Sequence, residues 1–181
     1  MTVTTGIGAG AFMAGDWDGD AELVDGQVVV NDPTLWHQRI ALRIARRLEE
    51  WCEQAGRGLA GFGGNWVLAE GNVYKPDVWW VADSARLDLH APRTDGAPDL
   101  AVEVRSPGTW HLDIGTKRSA YEAAGVAELW LVDWPAATVL VHRRSAPGAA
   151  SFDVSAEAGP GEVLTSPMLE GFAAAVDGLF A

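Results

Sequence analysis

The stretch Asp99-Leu-Ala-Val-Glu103-Val-Arg105 constrains the fold more than any other part of the chain. Side chains of a strand alternate between its two faces, so Leu100, Val102 and Val104 form one apolar row while Asp99, Ala101, Glu103 and Arg105 share the other. A carboxylate on a half-buried strand costs free energy unless it is ion-paired, hydrogen-bonded or bound to a metal. Two readings answer that cost. Glu103 and Arg105 form an i,i+2 ion pair at a sheet edge, or the strand carries part of a polar site.

A second stretch repeats the anomaly. Residues 73–81 read as a strand, with Asp77 following Pro76 among β-forming residues. The 25 residues between Asp77 and Glu103 leave room for a return loop over 84–97, so the two strands can pair as neighbours and their carboxylates can converge. Downstream, a helix is expected to begin at Asp113 and to end before Gly125, which suits a left-handed cap. Asp113, Lys117 and Tyr121 fall at i, i+4 and i+8, on nearly one face. Lys117 is then either the local partner of Asp113 or a member of the site.

The order Pro76-Asp77, a long gap, then Glu103-Val-Arg105 resembles the PD-(D/E)XK nuclease superfamily, and more closely its Uma-type restriction-endonuclease branch. The pieces carrying the resemblance are Glu22-Leu-Val-Asp25-Gly26, His37, Lys75-Pro76-Asp77-Val78, Pro98-Asp99-Leu-Ala-Val-Glu103-Val-Arg-Ser106-Pro107, Asp113-x3-Lys117-x3-Tyr121, Gly125-Val126-x-Glu128-Leu-Trp130-Leu-Val-Asp133 and Ser166-Pro167-Met-Leu-Glu-Gly171. It implies an α/β fold with a restriction-endonuclease-like core, a central mixed sheet flanked by helices, and added β-hairpins. It further implies a metal-dependent endonuclease acting on nucleic acid, with DNA expected, and a homodimer.

In that resemblance Asp77 and Glu103 are metal ligands and the Val104 carbonyl is a third. Mg2+, with Mn2+ as substitute, is the expected cofactor, because clustered oxygen ligands hold such cations for phosphodiester hydrolysis. The superfamily's lysine position holds Arg105 here, and the resemblance implies that Lys117 serves instead. Glu22 is either an additional site carboxylate or a solvated strand end. Asp99 is a second-choice ligand, since four residues of strand put it roughly 13 Å from Glu103. Asp113 and Tyr121 are further candidates. Arg105 is a candidate phosphate contact, as are Arg39 and Arg43 on the first long helix, whose arginines otherwise form a solvated face.

Composition limits these readings. At 181 residues the chain reads as a single domain over 19–181 behind a flexible lead-in over 1–18. One cysteine excludes an intrachain disulfide and a cysteine-based zinc set, which fits a cytoplasmic setting; no apolar run reaches membrane-span length. The formal charge of −12 opposes approach to a polyanion unless cations or a local basic face offset it.

The remaining elements are closing structure. Residues 21–30 read as a hairpin turning at Asp25-Gly26. Asn31-Asp32-Pro33 reads as the start of a helix to about Gln54, with Trp36, Ile40, Ile44, Leu48 and Trp51 or Cys52 as its apolar row and His37 at its border. The glycine-rich 56–64 segment lacks the context of a phosphate loop. Trp79 and Trp80 must face opposite ways, one toward the core. Two competing functions follow: a cleavage-inactive relative binding nucleic acid or protein, suggested by Arg105 and the charge, and a structural or oligomerisation module, suggested by nine tryptophans.

Overall fold

The computed structural model describes residues 6–17 and 19–181. Its elements in chain order are α1 (Ala9–Ala14), β1 (Asp20–Val24), β2 (Gln27–Asn31), α2 (Leu35–Ala55), β3 (Leu59–Gly61), β4 (Trp66–Ala69), β5 (Asn72–Tyr74), β6 (Val78–Val81), β7 (Thr94–Asp95) and β8 (Leu100–Val104). There follow α3 (Trp110–Leu112), a π-helical turn (Asp113–Lys117), α4 (Arg118–Ala123), β9 (Glu128–Asp133), β10 (Thr138–Arg143), β11 (Val154–Ala158), β12 (Val163–Leu164), β13 (Ala174–Ala175) and α5 (Asp177–Phe180).

The large sheet runs β11-β10-β9-β8-β6-β3 and the smaller one β2-β1-β5-β4-β7. In the large sheet β8 and β9 are parallel and the other neighbours antiparallel, so the sheet is mixed. A parallel pair needs a crossover. The helical run from Trp110 to Ala123 provides it and lies on the face opposite α2. One face of the sheet buries Leu100, Val102 and Val104 against Ile40, Ile44 and Leu48 of α2; the other packs Ala101, Leu129 and Leu131 with Tyr121 and Tyr74. Every residue of β8 is therefore buried, not half of them.

Several local expectations are met for the expected reasons. Asp25 and Gly26, at φ 49° and 75°, make the left-handed turn of the β1–β2 hairpin. Gly125, at φ 87°, ends α4. Trp80 is in the core and Trp79 is half-buried, edge-on to Trp66.

Other boundaries move. The cap of α2 is Thr34, whose hydroxyl accepts the His37 N–H, rather than Asp32 with Pro33 in the first turn. Trp36 lies at the exposed border of α2 beneath Arg43, and His37 is on the buried face. The expected strand over 73–81 breaks at Lys75-Pro76-Asp77: β5 belongs to the small sheet and β6 to the large one. Proline cannot donate to a ladder, so the chain changes sheets there. The expected lead-in carries α1, whose Phe12 packs with Leu23 and Val73; residues 1–5 and 18 lie outside the described residues.

Candidate active site

Three elements deliver side chains to one buried nest. Glu22 projects from β1, Glu103 from β8, and the crossover helix carries Asp113, Lys117 and Tyr121. The π-helical turn between Asp113 and Lys117 widens the helix where both side chains turn inward, a distortion that recurs at functional sites. Each of these five residues is less than about a tenth exposed.

Lys117 Nζ is the hub. It lies 2.8 Å from Glu103 Oε1, 3.1 Å from both Glu22 oxygens and 3.3 Å from Asp113 Oδ1. Lys117 therefore has the local pair with Asp113 and also contacts Glu22 and Glu103 from other elements. Tyr121 Oη donates to Glu103 Oε1 at 2.6 Å, and the Lys75 N–H donates to Glu22 Oε1 at 2.8 Å. The Tyr74 ring stands under the ammonium at 5.4 Å and meets Tyr121 edge-on. Glu22 is accordingly no solvated strand end.

Asp77 sits at the rim, immediately before β6, which pairs with β8 as the return loop allows. Its Oδ2 accepts the Val104 N–H at 2.7 Å and lies 3.0 Å from His37 Nε2. Its side chain is 19% exposed, so it opens the nest toward solvent. The buried His37 ring has no well-aligned hydrogen bond at either nitrogen.

Electrostatics follow from crowding. Burial pushes the Glu103 carboxyl well above its usual range, Lys117 pulls it back, and the Asp113, Glu22 and Asp77 charges push it up further. Burial, with the Glu22 and Asp77 charges, raises Asp113 to about 6 against the pull of Lys117. For Lys117 burial works against the charged form, but Glu103, Glu22 and Asp113 outweigh it and the ammonium is held well above its ordinary value. Burial likewise opposes His37 protonation, while Asp77 and the Val104 backbone raise its pKa overall.

Carboxylate oxygens are the ligand type that a hard divalent cation takes. Three carboxylates, Glu22, Glu103 and Asp113, surround one ammonium, and Asp77 stands at the rim against His37, so carboxylates outnumber the lysine in a buried site. His37 Nε2 stands 3.0 Å from the Asp77 carboxylate, so the rim carboxylate already has a polar neighbour. Among the described residues no three His, Cys, Asp or Glu side chains stand close enough to share an ion, because Lys117 holds Glu22, Glu103 and Asp113 around itself.

Other sequence candidates fall outside the nest. Asp99 Oδ2 accepts from the Ala82 N–H at 2.8 Å and from Arg86 at 3.1 Å, so it clamps the loop after β6. Arg105 pairs with Asp133 at 2.9 Å and lies over Trp110, not with Glu103. Arg43 donates to the Leu179 carbonyl at 3.3 Å, whereas Arg39 remains exposed.

A model of the family described as "Uma2: Putative restriction endonuclease" matches residues 16–177. The chain belongs to this family. A solved structure, the crystal structure of a "putative nuclease belonging to DUF820" from Anabaena variabilis, superposes with a TM-score of 0.81 at 17% identity, covering 96% of this chain and 97% of the other. No curated protein is similar enough to match. Family and superposition together make the restriction-endonuclease-like fold the frame in which the nest sits. No helix among the described residues is long and apolar enough to cross a membrane.

Sequence reasoning undervalued two members. His37 could have been placed inward from its spacing alone, because i+3, i+4 and i+7 from it are Ile40, Ala41 and Ile44. Tyr74 carried no signal, since a tyrosine beside a proline break is ordinary.

Proposed function

We propose that this Uma2-family chain is a divalent-cation-dependent endonuclease that hydrolyses phosphodiester bonds, with DNA as its substrate. The observation that carries the reading is the buried carboxylate nest around Lys117, with Asp77 open at its rim. Asp77, Glu103 and the Val104 carbonyl would hold Mg2+ or Mn2+, which supplies phosphoryl charge neutralisation and water activation when bound. The net reaction adds water across one P–O bond, leaving a phosphate end and a hydroxyl end.

The chain's own groups divide the remaining work. Lys117 is held protonated by its carboxylate neighbours, so it steadies negative charge on the phosphoryl oxygens and orients the water rather than taking its proton. Tyr121 and Glu22 fix Glu103 and Lys117 in place by hydrogen bonds. His37 holds Asp77 toward the rim. A homodimer belongs to the same proposal and is tested by sedimentation over a range of concentrations.

The test is supercoiled plasmid incubated with Mg2+ or Mn2+ and either wild type or Asp77→Asn, purified in parallel. Nicking by the wild type alone is expected. Equal cleavage by both proteins would refute the assignment of Asp77. A second reading, a cleavage-inactive binder of nucleic acid, is favoured by the engagement of Arg105 with Asp133 and by the charge of −12. Metal-dependent turnover that Asp77→Asn abolishes rules it out.

A further inference from the structure

Asp77 faces two ways. Besides the nest, it lines a cleft of about 550 Å³ together with Ala41, Leu42, Phe62, Gly63 and Asn65. Phe62 is 71% exposed and Leu42 62% exposed, an unusual placement for two large apolar side chains beside a charged site. Gly63 and Gly64 continue the wall at φ 62° and 80°, with open space where their Cβ atoms would be. Asn65 donates through Nδ2 to the Pro92 carbonyl at 3.2 Å, and its buried Oδ1 has no hydrogen-bond partner among the described residues. Gln38 adds a second amide, from the exposed face of α2.

We infer that this cleft receives an unstacked nucleobase of the substrate strand, beside the phosphate presented to Asp77. The occupant is set by chemistry. A flat aromatic wall suits a base, because every base offers a π-face. The exposed Gln38 amide, which both donates and accepts, suits the polar edge of a base. Continuity with Asp77 puts that base one step from the phosphodiester. A stacked, fully paired duplex cannot offer a base in this way without extruding it, so the preferred substrate is single-stranded or locally unpaired. The inference rests on the nuclease reading for its phosphate, but its own test is binding.

A short single strand carrying 2-aminopurine is titrated in Ca2+ with wild type, Phe62→Ala, Phe62→Trp and Val163→Ala, the last an exposed apolar residue away from the cleft. Binding that changes the fluorophore's emission is expected, about tenfold weaker in Phe62→Ala and retained in Phe62→Trp and Val163→Ala. The same strand in a full duplex is expected to bind more weakly than when free.

Three results would overturn the inference: Phe62→Ala affinity within about twofold of wild type, duplex bound as tightly as single strand, or a concentration-dependent dimer that Phe62→Ala dissolves, which would give the face to a second copy. Cleavage is scored separately. Phe62-dependent binding without any cleavage would refute the nuclease reading and leave the base cleft standing. Cleavage together with binding indifferent to Phe62 would do the reverse.

Discussion

Glu103 and Glu128 are buried carboxylates on adjacent parallel strands, pointing to opposite faces of the same sheet, and they are treated in opposite ways. Glu128 receives one neutral donor per oxygen: Trp130 Nε1 at 2.6 Å on Oε1 and Ser166 Oγ at 2.8 Å on Oε2. Burial raises its pKa, and the two donors restrain the rise. Its demand is met by the protein itself, and the outcome is structural, since Ser166 ties the C-terminal segment to the sheet. Glu103 shares a single ammonium with Glu22 and Asp113, and Asp77 lies nearby. A carboxylate kept for structure is satisfied; a cluster with surplus charge is suited to a cation and a polyanionic substrate.

Removing the shared cation should separate the two regions most. Lys117→Met leaves three buried carboxylates without their partner and is expected to cost about 3–5 kcal/mol, measured by urea unfolding without divalent ions. Mg2+ should restore part of that loss. On the other face Ser166→Ala is expected to cost about 1–3 kcal/mol by leaving Glu128 Oε2 unpaired, and Mg2+ should restore none of it. If Mg2+ rescues both variants alike, or neither, the distinction between the faces fails.

Acid titration sharpens the same contrast. Asp113 is raised from 3.8 to about 6, and Glu103 is raised as well, so the folded chain binds more protons than the unfolded chain in this range. Stability without metal should therefore fall as pH rises from about 4 to about 6. Asp113→Asn should flatten that fall and raise the melting temperature above pH 6, as followed by calorimetry across pH. An unchanged profile in Asp113→Asn would contradict the crowding argument. The smallest effect is expected at Arg105→Ala: its pair with Asp133 is about a third exposed, and the loss should stay below about 1 kcal/mol.

Much of this frame was legible in the chain. The Asp25-Gly26 turn, the strand carrying Glu103 and the inward face shared by Asp113, Lys117 and Tyr121 follow local rules, although β8 is buried on both faces and the crossover helix starts at Trp110, before the expected Asp113, with a π turn over 113–117. What was not legible depends on tertiary placement. Asp99 and Arg105 share Glu103's parity, yet the strand ends and the loops beside them supply Arg86 and Asp133 as partners. Glu22 looked terminal because its burial comes from a lysine 95 residues away. His37 depended on how wide a face of α2 the sheet covers, and the break at Lys75-Pro76-Asp77 on the chain's choice between two sheets.

The most direct test compares Glu103→Gln with Glu128→Gln for cleavage of plasmid and single-stranded DNA in Mg2+ and Mn2+, alongside wild type. Both substitutions keep shape and remove one buried charge. The account predicts that Glu103→Gln loses at least about a thousandfold in rate while Glu128→Gln cleaves close to wild type. Loss of activity in both, or in Glu128→Gln alone, would contradict the assignment of the working site to the Lys117 nest.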